Sequence, residues 1–171
     1  GFMSHRMACE QGDRLRAIVS LAGSTYDEFD DNCADTGHPN VLQVHGTYDW
    51  VIYYEGGYDH DPWDNEWNYY PSAESTVASW ANRSGCDGVY TDLGELDLDW
   101  PSGTNDTDML EHLNCAQGNQ VALWRINEGS HAPAFVDGQF ANTTIPWALS
   151  GFSRDSDGDG VRDNEDAFQY L

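Results

Sequence analysis

Val41-Leu42-Gln43-Val44-His45-Gly46-Thr47-Tyr48-Asp49 is the stretch on which the fold turns. It opens as a short run, residues 41–45, of the kind that forms a buried strand, and it stops at a Gly46 turn. Two further runs read the same way: Ala17 to Ala22, ending at Gly23, and Val121 to Ile126, ending in Asn127-Glu128-Gly129-Ser130-His131. Between them lie stretches of helical character. Residues 2–11 bring Phe2, Met3 and Met7 near one face, with Gly12 as the expected stop. Residues 73–82 place Ala73, Val77, Trp80 and Ala81 on one stripe. Ser72 is the expected N-cap there, Glu74 suits the first turn and Gly85 ends the helix. Thr144 to Phe152 reads as a last short helix with Pro146 in its first turn. Residues 26–40 read as an acidic loop, 53–71 as a long polar loop, and 89–113 as an acidic strand or hairpin.

Short apolar strands alternating with helices predict the α/β class, a layered and mostly parallel sheet with flanking helices. Such sheets carry their functional residues on loops at the strand carboxyl ends. Two of those loops carry an Asp and a His, Asp49 and His131. An acid followed by a His on successive strand-end loops is the chain order of a hydrolase triad after its serine. The acid orients the imidazole, and the imidazole takes the proton of the nucleophile.

Composition limits the partners. The chain has 171 residues, with 30 acidic against 7 basic, and a net charge of -23. Phosphate backbones and anionic membranes are both bound through clustered Lys and Arg, so neither nucleic acid nor membrane is an expected partner. Leu, Ile, Val and Phe number only 30 of 171, but 7 Trp and 9 Tyr supply large area for a core. Four Cys, at 9, 33, 86 and 115, form no CxxC pair. They read as disulfides of an oxidising compartment, in any of three pairings.

The C-terminus carries the sharpest motif. In Asp155-Ser156-Asp157-Gly158-Asp159-Gly160-Val161-Arg162-Asp163-Asn164-Glu165-Asp166, carboxylates alternate ahead of a glycine turn. That spacing wraps hard oxygen ligands around one Ca2+. An EF-hand loop needs Glu at its twelfth position, where this stretch has Asp166. The pattern resembles a thrombospondin type 3 repeat. That resemblance implies calcium held by Asp155, Asp157, Asp159, Asp163 and Asp166 with the backbone carbonyl of Val161.

A second resemblance covers roughly residues 1–150. It rests on residues 1–10 (GFMSHRMACE), 44–49 (VHGTYD), 54–57 (YEGG), 80–86 (WANRSGC) and 128–131 (EGSH). Together these are similar to the polyhydroxybutyrate depolymerase and feruloyl esterase family of secreted α/β-hydrolase serine esterases. The resemblance implies Asp49 as triad acid and His131 as base, with Glu128 and Ser130 standing where the family has glycines. It also implies the bridges Cys9–Cys33 and Cys86–Cys115. In the family, the GFMSHRMAC helix directly follows the nucleophile elbow G-x-S-x-G, so the serine is expected just upstream of Gly1. Ser4 does not replace it, because Phe2 and Arg6 occupy the flanking glycine positions.

The reading is therefore the C-terminal portion of an α/β-hydrolase over 1–152 and a calcium repeat over 153–171. The expected protein is secreted or periplasmic, and its substrate is a polyester or a plant-wall feruloyl or acetyl ester. The aromatic stretch after Asp49 offers flat contact area for such a substrate, with Trp50, Tyr54, Trp63 and Trp67 as its expected contacts. The 171 residues alone are expected to be inactive. The competing reading is a non-catalytic, calcium-dependent binding module built on a degenerate hydrolase half. A transition-metal site from His45, Asp49, Asp59, His60 and Asp61 matches no metallohydrolase spacing.

Overall fold

The computed structural model describes residues 1–150 apart from 27, 28, 35, 61–66, 100–102 and 104. In chain order the elements are α1 (Phe2–Gln11), β1 (Ala17–Leu21), α2 (Phe29–Asn32), β2 (Asn40–Gly46), β3 (Gly57–His60), β4 (Trp67–Tyr70), α3 (Ala73–Ser84), β5 (Tyr90–Leu96), β6 (Thr107–His112), β7 (Val121–Ile126) and α4 (Gln139–Leu149). Five strands form one sheet in the order β1-β2-β7-β6-β5. β1, β2 and β7 run parallel, whereas β6 and β5 add antiparallel to β7. The class is α/β, and the sheet is mixed where a mostly parallel one was expected. The ambiguous 89–113 region supplies the antiparallel half.

β2 is buried along its whole length, as a strand covered on both faces must be. Its side chains alternate between the two layers. Val41 packs with Ala8, Phe29, Val77 and Trp80 on the side of α1 and α3. Leu42 and Val44 pack with Trp124, Phe140 and Trp147 on the side of α4. Gln43 and His45 share the parity of Val41, so both polar side chains point into the α1/α3 layer.

The caps of α3 follow the sequence signals. Ser72 Oγ accepts the Ser75 N–H at 3.0 Å. Gly85 adopts the left-handed conformation, with φ +62°, and its N–H reaches back to the helix end. Gly12 does not play that part at the end of α1. It stays right-handed, φ -58° and ψ -33°, and runs on into a 3₁₀ turn, Gly12–Arg14. Its missing side chain serves a close approach instead, since a Cβ there would meet the carbonyl of Gly37 at 2.7 Å.

Three other expectations change. The acidic loop contains the short helix α2. The polar loop contains the antiparallel hairpin β3–β4, where cross-strand aromatic partners pair, Tyr58 with Tyr69 and His60 with Trp67. Helix α4 starts at Gln139, so Pro146 lies inside it and not in its first turn. The hydroxyls of Thr143 and Thr144 donate to carbonyls of the preceding turn, those of Gln139 and Phe140. Residues 151 and 152 lie outside the described residues, as does the whole calcium motif, Asp155, Asp157, Asp159, Val161, Asp163 and Asp166.

Both bridges form in the pairing the resemblance implies, Cys9–Cys33 and Cys86–Cys115. The second closes a loop of 29 residues and clips the end of α3 to the turn after β6. Removing it with Cys86→Ala and Cys115→Ala is expected to lower stability by about 3–4 kcal/mol through the freed unfolded chain. Equilibrium urea unfolding reads this directly, and an unchanged midpoint would contradict it. No helix of the described residues is long and apolar enough to cross a membrane.

Candidate active site

Backbone hydrogen bonds join the loops after β2 and β7. Thr47 N–H donates to the Ile126 carbonyl and Tyr48 N–H to the Gly129 carbonyl, each at 2.9 Å. Thr47 Oγ1 accepts the Glu128 N–H at 2.8 Å. The backbones come so close that a Cβ on Gly46 would collide with the Gly129 carbonyl. A Cβ on Gly129 would press into Ile126 at 2.6 Å. Glu128 sits at φ +60°, a left-handed conformation unfavourable for a side-chain-bearing residue.

This clamp brings Asp49 and His131 together across 82 positions of sequence. His131 Nδ1 lies 2.9 Å from Asp49 Oδ2. The Asp49 side chain is fully buried, whereas that of His131 is 36% exposed. Asp49 Oδ1 accepts the N–H groups of Val51 and Ile52, both at 2.9 Å. A carboxylate so held can only accept, so Nδ1 of His131 carries the proton and its Nε2 keeps a lone pair. A buried acid that fixes the tautomer of a partly exposed imidazole can prepare a general base.

His131 lines a cleft of about 560 Å³ together with Val51, Ile52, Asp59, Gly1 and Phe2. The last two are the N-cap and the first residue of α1. That helix end is locked in place, because a Cβ on Gly1 would run into Gly23 at the end of β1. The cleft therefore holds the imidazole and the N-terminal, positive end of a helix side by side.

A second His reaches the same acid. His45 Nε2 lies 3.2 Å from Asp49 Oδ2, with the His45 side chain only 1% exposed. Burial pushes its pKa below the usual histidine value. His45 Nε2 also lies 2.9 Å from the Ile52 carbonyl, and Nδ1 lies 3.0 Å from Gln43 Nε2. In sequence these two residues hide inside an apolar-looking strand. The available signal was the rule that a polar side chain in a doubly covered strand must find a partner.

The expected substrate contacts divide. Trp50 is 73% exposed and Trp67 66% exposed. Tyr54 is a correction: it is buried, its hydroxyl donates to Glu74 Oε1 at 3.1 Å, and its ring stands edge-on to His45. A ring held there belongs to the core and offers no face to a polymer. Trp63, like Asp61, lies outside the described residues.

Compared with known proteins, the chain matches no family model and no curated protein.

Proposed function

We propose that this chain is the part of a secreted serine esterase that supplies the triad acid, Asp49, and the triad base, His131. The nucleophile of this reading is a serine that precedes Gly1 in the complete polypeptide. The observation that carries it is the buried carboxylate of Asp49 on Nδ1 of His131 at 2.9 Å, in a cleft walled by the N-cap and the first residue of α1. The α/β-hydrolase fold gains support from the parallel order β1-β2-β7, with the acid after β2 and the base after β7. Two disulfides suit an oxidising, extracellular or periplasmic setting.

In this reading the serine Oγ bonds to the ester carbonyl carbon while Nε2 of His131 takes its proton. Asp49 stabilises the resulting imidazolium. As the carbon–oxygen bond to the alcohol breaks, the proton passes from Nε2 to the leaving oxygen. Water then repeats the sequence on the acyl-serine, releasing the acid and restoring the serine. The substrate class is a polyester or a feruloyl or acetyl ester. The exposed rings of Trp50 and Trp67 offer it apolar contact area.

Hydrolysis of p-nitrophenyl butyrate tests the assignment. The 171 residues alone are expected to show no turnover, and a polypeptide extended upstream of Gly1 is expected to turn over. Turnover by the 171 residues that disappears in His131→Ala would place the nucleophile inside the chain and overturn that part. An inactive extended polypeptide would favour the binding-module reading.

We also propose that Asp155, Asp157, Asp159, Asp163 and Asp166, with the Val161 carbonyl, hold Ca2+. Calcium is expected to raise the thermal midpoint, and Asp157→Ala with Asp159→Ala to abolish the rise. An unchanged calcium response in that double variant would refute the site.

A further inference from the structure

Asp49 is the end of a buried chain of side chains that crosses the molecule. Trp80 Nε1 on α3 donates to His5 Nδ1 on α1 at 3.0 Å. His5 Nε2 meets Gln43 Oε1 at 2.9 Å. Gln43 Nε2 meets His45 Nδ1 at 3.0 Å. His45 Nε2 meets Asp49 Oδ2 at 3.2 Å, the oxygen on which His131 Nδ1 also rests. Trp80, His5, Gln43, His45 and Asp49 are all buried.

Every proton in this chain has a forced position. An indole N–H only donates, so His5 Nδ1 holds a lone pair and its Nε2 the proton. The Gly23 carbonyl only accepts, and it takes a bond from Gln43 Nε2 at 2.7 Å, which fixes the amide orientation. Gln43 Oε1 therefore faces His5, and its amino group faces His45. His45 Nδ1 in turn holds a lone pair and its Nε2 the proton. Both buried imidazoles are neutral and point the same way, toward Asp49. Burial lowers the pKa of each, which keeps them neutral.

We propose that His45 and Gln43 are positioning residues of the Asp49–His131 pair. His45 is a fixed neutral donor whose Nε2–H bonds the Ile52 carbonyl at 2.9 Å and lies 3.2 Å from Asp49 Oδ2, and Gln43 fixes the tautomer that lets it donate. The consequence is that the turn whose Val51 and Ile52 N–H groups hold Asp49 Oδ1 is anchored, which keeps the carboxylate against His131 Nδ1 and directs the Nε2 lone pair at the cleft. His5 extends the control to α1, the helix whose N-terminus lines that cleft. The catalytic meaning of this assignment rests on the esterase reading. The proton positions do not.

Nitrogen-15 NMR of the histidine rings in the 171-residue chain tests the proton positions without any turnover. His5 and His45 are expected as Nε2–H tautomers and His131 as the Nδ1–H tautomer. His45→Leu removes the donor that anchors Ile52 and so loosens the turn holding Asp49; His131 is then expected to become a mixture of tautomers, and His45→Gln, which retains an N–H donor, to restore the Nδ1–H form. In the polypeptide extended upstream, His45→Leu is expected to lower kcat about 10- to 100-fold with KM unchanged, as for a small misplacement of the Asp49–His131 pair. His45→Gln is expected to recover most of it. A wild-type spectrum with the proton on His45 Nδ1 would overturn the proposal, whether or not any variant folds. So would an unchanged His131 spectrum in His45→Leu. If the spectra hold and the extended polypeptide is inactive, the esterase reading fails and the tautomer assignment stands.

Discussion

In the polypeptide extended upstream of Gly1, His131→Ala is expected to reduce kcat for p-nitrophenyl butyrate by about 10⁶-fold, and Asp49→Asn by about 10⁴-fold. The two differ because they remove different things. His131→Ala deletes the only group of the pair that faces the cleft, so the serine loses its proton acceptor. Asp49→Asn keeps the shape, but the amide no longer demands a proton on Nδ1 of His131. The ring can then place its proton on Nε2, where a base needs a lone pair. The effects are also expected to overlap, since both act on one proton transfer: the double variant should be no slower than His131→Ala alone. Steady-state kinetics on the three variants checks this. Additive losses, or an Asp49→Asn enzyme within tenfold of the parent, would separate the two residues and contradict a shared role.

Acidification is expected to unfold the chain partly through His5. The ring is fully buried among Gln43 and Trp80, and His45 opposes a further positive charge there. Burial is the largest cause, and it pulls the pKa from 6.5 to about 4. The folded state therefore refuses a proton that the unfolded chain accepts. Stability from this residue is present above pH 6.5, falls as pH drops toward 4, and changes no further below that. The full loss is on the order of 3 kcal/mol. The other acid-sensitive groups are common to wild type and to His5→Gln, which lacks the titrating ring. Urea midpoints followed by tryptophan fluorescence at pH 7, 5.5 and 4 should thus fall more steeply for wild type than for the variant. Parallel slopes would show that His5 takes no part.

What the sequence disclosed and what it hid have physical reasons. β2 and β7 announced themselves because strands covered on both faces must be apolar over most of their length, and each is followed by a turn that carries one member of the Asp49–His131 pair. The ends of α3 were legible in Ser72 and Gly85, because capping is local chemistry. The β3–β4 hairpin was not, since its strands face solvent on both sides and lack the alternation that marks a half-buried strand. The start of α4 gave no signal, for Gly138 caps it without a side-chain bond. Gly12 misled because a glycine needed for close approach looks the same in sequence as one needed for a left-handed turn. The buried chain from Trp80 to Asp49 was invisible for a different reason. His5 is 38 residues from Gln43 and 75 from Trp80, and only the packing of α1 and α3 on one face of the sheet brings them together.

The central claim is that Asp49 and His131 serve a serine delivered at the N-terminus of α1. Trapping with a fluorophosphonate ester, followed by mass-spectrometric location of the label in the extended polypeptide, tests it most directly. The account predicts one labelled serine, two residues before Gly1, with labelling lost in His131→Ala. Label on a serine within residues 1–171, or no label at all, would contradict it.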